Sequence, residues 1–176
     1  MAVVDWHTQT DEASAAAIAL AEHLQHGGEL PQLDTSLPLH DGEALHAHVP
    51  AECWWHGAAE TAYQKYRFLA FDNIAWLGLT AAASAIGNHR RRRTAAALAA
   101  TQWRALGELP VLLTNQRLVL PIADTLWPIW LDDILHVGTS PDGRRIELVC
   151  DDQPPHALVG AWVPYIKVVL DLLLRR

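Results

Sequence analysis

The feature that most constrains this fold is a series of short apolar segments, separated by turn signals, that begins after Gly107. Each segment is too short for a typical helix and rich in residues that favour strands; they comprise residues 111–114, 117–120, 127–130, 134–137 and 146–150. Asn115-Gln116 and the run from Ser140 to Gly143 predict tight turns between neighbouring segments. A last apolar stretch, residues 162–174, predicts a C-terminal helix. We therefore predict an α+β domain, a curved antiparallel sheet closed by a C-terminal helix.

The N-terminal third is expected to add one helix, an arm and one strand. A helical pattern opens at Asp11 and stops at Gly27-Gly28, and its apolar stripe would contain Ile18, Leu20, Ala21 and Leu24. Residues 30–42 contain two prolines and little periodicity, which predicts an arm. Residues 43–49 alternate with a period of two, as a strand does. After Pro50 we expect helical or irregular structure through Tyr66.

Between this strand and the later ones, the sequence predicts an inserted pair of helices at about residues 62–106. Residues 67–86 are mainly apolar and end at Gly87-Asn88, and residues 94–106 are rich in Ala and Leu and end at Gly107. The apolar centre of the first helix is about a dozen residues long, whereas a membrane-spanning helix needs about 20. We therefore expect a buried helix. Because the N-terminus shows no signal peptide, we expect a cytoplasmic protein, with the inner membrane surface as an alternative location.

Charge is distributed unevenly along the chain. The net charge of −7 combines residues 1–62, which carry ten acidic side chains and neither Lys nor Arg, with a remainder that carries thirteen basic and ten acidic residues. A protein of negative net charge does not attract nucleic-acid phosphates indiscriminately, so nucleic acid is not an expected partner. We predict two regions: an acidic N-terminal helix and arm over residues 1–39, and a sheet domain with its helical insertion over residues 40–176.

One dense basic run follows the first inserted helix and consists of Arg90, Arg91, Arg92 and Arg93. Four consecutive residues of a helix point all around its axis, so they do not form one flat binding stripe. We expect these arginines to be solvated, or masked by the acidic N-terminal third. Binding of anionic lipid or nucleic acid through them is an alternative function.

Candidate metal ligands cluster in the predicted strand and just beyond it. A strand places alternate side chains on one face, so the rings of His46 and His48 could share a metal ion, and Cys53 and His56 could complete a tetrahedral site. The spacing matches no established zinc signature, and scattered exposed histidines on a polar strand face are the simpler interpretation. A metal-dependent enzyme that uses the cluster from His40 to His56 is therefore a second alternative function.

A family resemblance supports the predicted sheet. The segment GELPVLLTNQRLV, which begins at Gly107, resembles the start of a bacterial pleckstrin-homology-like or GRAM-like domain, in which a strand reading xxLTxxRL leads into a second strand. A wider set of motifs is similar in order to actinobacterial proteins of uncharacterised function: Gly42-Glu43, Gly87-Asn88, Gln102-Trp103-Arg104, residues 114–118, Trp127 and residues 155–160. The resemblance covers about residues 40–174. It implies a pleckstrin-like fold with a C-terminal helix.

The resemblance also bears on function. Pleckstrin-like domains bind lipids, peptides or other proteins, so the fold alone names no ligand. The helical insertion departs from their compact fold, and no binding residue is carried over. The sequence contains no nucleophile elbow, Gly-rich phosphate loop or H-E-x-x-H helix, while its eight tryptophans suit cores and interfaces. We therefore predict a non-catalytic binding or adaptor protein that acts through protein contacts, including those of a homo-oligomer, and needs no cofactor.

Overall fold

The computed structural model describes residues 6–57 and 101–175. Helix α1 spans Trp6–Gln25, and an arm leads from it to the first of seven strands. The strands are β1 (Leu45–Gly57), β2 (Gln102–Thr114), β3 (Arg117–Ile122), β4 (Thr125–Trp130), β5 (Ile134–Thr139), β6 (Arg145–Cys150) and β7 (His156–Val159). A short 3-10 turn, Leu131–Asp133, joins β4 to β5, and helix α2 spans Val163–Leu173.

The seven strands form one antiparallel sheet in the order β4-β3-β2-β1-β7-β6-β5. Strand β1 is central, because it pairs with β2 along most of its length and with β7 from Glu52 to Trp55. The sheet curls strongly into a half-barrel, with α1 and α2 as its N-terminal and C-terminal helices. This architecture confirms the predicted α+β class and is consistent with a pleckstrin-like fold.

One face of the sheet and helix α2 share the main core. Strand β1 contributes alternate residues to it, and α2 contributes Val163, Ile166, Val169, Leu170 and Leu173. Fully burying a Leu or Ile side chain stabilises a protein by about 1.5–3 kcal/mol. Since a helix of 11 residues is marginal by itself in water, this burial is what holds α2 in place.

Helix α1 packs against α2. Ala13, Ala17 and Leu20 are buried at helical spacing, and Leu24 is packed against the core. The predicted apolar stripe was wrong at Ile18, whose side chain is 60% exposed. Ala13 and Ala17 are buried instead.

The prediction that strand structure stops at Pro50 was wrong. β1 continues through Pro50 to Gly57, and Pro50 lies opposite Pro110 of β2. In the described part of the sheet, β7 pairs with β1 only from Glu52, and β3 pairs with β2 only at Leu112 and Leu113. Neither proline therefore has a third strand beside it that would require its missing N–H.

The predicted helix over residues 94–106 was also wrong at its described end, because residues 102–106 belong to β2. Gly107 does not end a helix; it lies inside β2 with φ of +96°, next to the register shift opposite Cys53 and Trp54. Such a left-handed residue beside a bulge favours glycine. The rest of the predicted helical insertion lies outside the described residues.

The predicted turns are confirmed. Asn115 and Gln116 connect β2 to β3, and Gly143 donates its N–H to the Ser140 carbonyl in the turn before β6. Strand β7 was not among the predicted strands, and it begins directly after Pro154-Pro155. Within residues 6–57 and 101–175, no helix is both long enough and apolar enough to cross a membrane.

Candidate functional site

A buried ion pair joins the end of the arm to the start of β3. Arg117 Nε donates to Glu43 Oε1 at 2.8 Å, and Arg117 Nη2 donates to Oε2 at 3.1 Å. The Glu43 side chain is fully buried, and that of Arg117 is 10% exposed. Nη2 also donates to the Pro38 carbonyl at 2.9 Å, so the guanidinium holds two parts of the arm at once.

Neighbouring groups complete this cluster, which we call the hairpin latch: Glu43, Thr114, Asn115, Arg117 and Trp130. The Thr114 hydroxyl donates to Glu43 Oε1 at 2.7 Å and accepts the N–H of Arg117 at 2.9 Å. Asn115 accepts the Ala44 N–H and donates to the Gly42 carbonyl, both at 2.9 Å. The Arg117 guanidinium lies 5.3 Å from the centre of the Trp130 ring. Two motifs of the family resemblance, Gly42-Glu43 and residues 114–118, therefore meet in one structural cluster.

The latch affects the ionisation of Glu43. Burial alone would raise the pKa of this carboxyl, but hydrogen bonds from Arg117, from the His40 N–H and from Thr114, together with the charge of Arg117, hold it below its usual range. Glu43 is therefore a satisfied structural carboxylate, not a group poised to accept a proton near neutral pH.

The four predicted metal ligands are not brought together. His46 is the extra residue at a register shift in β1, and its Nδ1 donates to the Pro31 carbonyl at 2.7 Å. His48 is exposed, Cys53 is buried in the main core, and the His56 ring contacts Trp103 with 5.1 Å between centroids. In the described ranges, no three His, Cys, Asp or Glu side chains are grouped so that they could hold a metal ion.

The two thiols are also poorly placed for nucleophilic chemistry. Burial, and to a lesser extent the charge of Glu52, raises the pKa of Cys53 to about 12. Burial, together with Asp133, raises the pKa of Cys150 to about 11. A nucleophilic cysteine reacts as its thiolate, and these thiols stay protonated near pH 7. Cys53 faces the core while His56 faces outward, so the two do not form a catalytic pair.

The predicted anion-binding residues, Arg90, Arg91, Arg92 and Arg93, lie outside the described residues, so the structure places none of them. The masking of these arginines by the acidic N-terminal third also stays a prediction. What the structure does show is that α1 packs on α2.

The most suggestive surface in the described part of the chain is a groove of about 530 Å³ between β5 and helix α2, which we call the β5–α2 groove. Residues 134–137 line one side, Lys167, Asp171 and Leu174 line the other, and Asn115 of the hairpin latch also borders it. Lys167 Nζ pairs with both carboxylate oxygens of Asp171 at 2.6 Å. The walls therefore combine aliphatic side chains with charged and amide groups.

Strand β5 gives this groove a free sheet edge. β5 ends the strand order and pairs with β6, and on its other side the described residues provide no strand neighbour. One row of its backbone N–H and C=O groups therefore faces away from the sheet. The register shift between Ile134 and His136 leaves Leu135 unpaired, and its side chain is 65% exposed.

The β5–α2 groove was not predicted from the sequence. The run from Ile134 to Val137 was recognised as a strand, but its exposed side chain was not. One signal was present: Ile134 and Leu135 are adjacent apolar residues, which breaks the alternation of a half-buried strand and is compatible with a bulge. That the edge remains open next to α2 depends on the curl of the whole sheet.

Comparison with known proteins gave no relative: no family model, no curated protein and no solved structure matches this chain.

Proposed function

We propose that this protein is a non-catalytic binding protein that takes an extended segment of a partner protein into the β5–α2 groove. The observation that carries the proposal is the open edge of β5, with the exposed Leu135 side chain beside a groove of about 530 Å³. An extended peptide can add to such an edge as a further strand, so that backbone hydrogen bonds supply affinity and side-chain contacts supply specificity.

The two walls of the groove have different roles in this proposal. Strand β5 offers backbone donors and acceptors to the incoming segment. Helix α2 offers charged groups at Lys167 and Asp171, and its C-cap residue Leu174 offers apolar contact. Binding would also bury Leu135, and removing an aliphatic side chain from water contributes about 25 cal/mol for each Å² that is buried.

The geometry favours binding over the metal-dependent enzyme. The candidate ligands His46, His48, Cys53 and His56 have separate environments, and the two thiols are held in their neutral form by burial. In contrast, the β5–α2 groove offers an unpaired backbone edge and an exposed aliphatic side chain, which are features of a protein-binding surface.

The test uses peptides selected from a random library of extended dodecamers on the immobilised protein. The dissociation constant of the best peptide is then measured by fluorescence anisotropy for the wild type, Leu135→Asp and Ile18→Asp. Ile18 is a matched control, because it is an aliphatic side chain of similar exposure on α1. We expect Leu135→Asp to weaken binding at least tenfold, because it places a charge where an aliphatic contact forms, and Ile18→Asp to change it less than twofold.

Two results would contradict the proposal. One is a selected peptide that both variants bind equally well, because its site would then lie elsewhere. The other is a selection that yields no peptide with measurable affinity. Circular dichroism of both variants provides the control for folding.

A further inference from the structure

Two carboxylates face each other near the middle of the sheet. Glu52 of β1 lies directly opposite Glu108 of β2. Side chains in directly opposite positions have Cβ atoms about 4.5–5.5 Å apart, and like charges there destabilise a sheet. Both side chains are exposed, and neither belongs to an ion pair or hydrogen bond formed within residues 6–57 and 101–175. The described part of the fold does not neutralise this repulsion.

Both carboxylates border a groove of about 360 Å³, which we call the acidic groove. The remainder of its lining is largely apolar and includes Pro50, Val159 and Trp162. A neighbouring depression shares Pro50 and Glu108 and extends to Pro110. No Lys or Arg of the described ranges lines either one. The surface therefore combines apolar walls with two negative charges that no described cation offsets.

We propose that the acidic groove binds an arginine side chain of a partner protein. A guanidinium is planar, carries five N–H donors and is weakly hydrated, so one group can serve two neighbouring carboxylates. The three methylenes of an arginine can lie along apolar walls while its charged end meets the carboxylates. Trp162 also lines the groove, and a guanidinium can be attracted to the face of an aromatic ring.

The extent of the groove favours a residue within a chain over the free amino acid. Past Pro50 the surface continues into the neighbouring depression, which leaves room for the residues that flank the arginine. Charge favours the same partner, because the net charge of −7 attracts a basic segment over a distance.

This site is separate from the β5–α2 groove. The acidic groove lies at the N-terminal end of α2, where Trp162 is the N-cap residue, whereas the β5–α2 groove lies along residues 167–174. The two proposals can therefore fail independently.

The test measures binding of a fluorescein-labelled hexa-arginine peptide by anisotropy at low salt. The test variant is Glu52→Gln/Glu108→Gln, which keeps the shapes of both side chains. The matched control is Asp11→Asn/Glu12→Gln, which removes two charges from exposed positions on α1. We expect at least tenfold weaker binding for the test variant and less than a twofold change for the control. A hexa-citrulline peptide, which has the same length but no charge, should not bind.

Equal weakening by the two double variants would overturn the proposal, because it would show attraction to the net charge alone. Equal binding of the citrulline peptide would overturn it as well. A second measurement separates binding from structure: the test variant should melt at a higher temperature than the wild type, since it relieves the repulsion. A lower melting temperature would show that the carboxylates hold the fold and would also contradict the proposal. The peptide selected for the β5–α2 groove should bind the test variant as it binds the wild type.

Discussion

The hairpin latch and the β5–α2 groove are neighbours that share Asn115, yet they use their polar groups in opposite ways. In the latch, the Glu43 carboxylate receives donors from Arg117, Thr114 and the His40 backbone. In the groove, the outer edge of β5 has no strand partner among the described residues. In the latch, the polar groups form hydrogen bonds that hold the chain together. At the outer edge of β5, the backbone groups have no strand partner among the described residues.

The comparison shows how a stable edge can stay open. An unpaired strand edge is an aggregation hazard unless something limits what pairs with it. Here the bulge at Leu135 interrupts the edge, and α2 stands beside it. The latch ties the β2–β3 hairpin to the arm, and its Asn115 borders the groove. A groove that is already formed costs less ordering entropy on binding.

The largest expected effect follows from removing one partner of the latch. Arg117→Met leaves the buried Glu43 carboxylate without its counter-ion, and breaking a buried ion pair in this way costs about 3–5 kcal/mol. Urea unfolding at pH 7 measures the loss. Because the pKa of Glu43 is held below its ordinary value of 4.5, the latch stabilises the wild type above that pH and weakens as the pH falls. The deficit of the variant should therefore shrink under acid.

Arg145→Met is the control for that experiment. Arg145 and Glu147 also form an ion pair at 2.8 Å, but their side chains are 31% and 44% exposed. A pair that is open to solvent contributes about 0–1 kcal/mol. If the two variants lose the same free energy of unfolding, the latch has no special structural role.

The fold predicted from the sequence was correct where local signals and tertiary packing agreed. The Asn115-Gln116 turn lies between two apolar runs, and α2 is apolar on the side that it buries. The predictions failed where tertiary structure overrode a local signal. Pro50 indicated the end of a strand, but no third described strand lies beside it to require its missing N–H. Residues 102–106 end a segment that is rich in Ala and Leu, yet they form a strand because β1 pairs with them.

The candidate sites were harder to predict than the fold. His46 and His48 were expected on one face of a regular strand, but the register shift at His46 interrupts the alternation. The latch joins residues that are more than seventy positions apart. Its motifs were therefore recognised in the sequence, but the contact between them was not predicted. Glu52 and Glu108 become neighbours only through the register of β1 and β2.

Unlike the latch and the groove, one buried polar group lies in the interior of the sheet. His156 is fully buried in β7, and burial lowers its pKa from 6.5 to about 4, although a hydrogen bond with the Pro154 backbone opposes the shift. Between pH 6.5 and pH 4, this histidine therefore binds a proton in the unfolded chain but not in the folded chain. The free energy of unfolding decreases as the pH falls through this range. From pH 7.5 to pH 4.5 this group alone should cost about 2–3 kcal/mol.

His156→Leu tests this by removing the titrating group. The quantity to compare is the change in the free energy of unfolding between pH 7.5 and pH 4.5, which does not depend on the absolute stability of the variant. We expect a smaller change in the variant than in the wild type. Identical changes would mean that His156 titrates normally in the folded protein.

The smallest effect is expected at the residue that the two regions share. Asn115→Ala removes the hydrogen bonds to Ala44 and Gly42 and should cost about 1 kcal/mol of stability. It should also weaken the binding of the selected peptide by a few fold, because one border of the β5–α2 groove is held less firmly. Thermal unfolding and anisotropy on the same samples measure both quantities. If the variant keeps its full stability and binds the peptide as the wild type does, the prediction is wrong, because Asn115 would then support neither the latch nor the groove.

The central claim is that a partner segment adds to the free edge of β5, and amide NMR tests it most directly. The selected peptide is titrated into ¹⁵N-labelled protein, and shifts and hydrogen-exchange protection are followed residue by residue. We expect shifts in residues 134–139 of β5 and in residues 167–173 of α2, with slower amide exchange along β5 and little change in β1. Shifts that leave β5 unaffected, or exchange along β5 that the peptide does not slow, would contradict it.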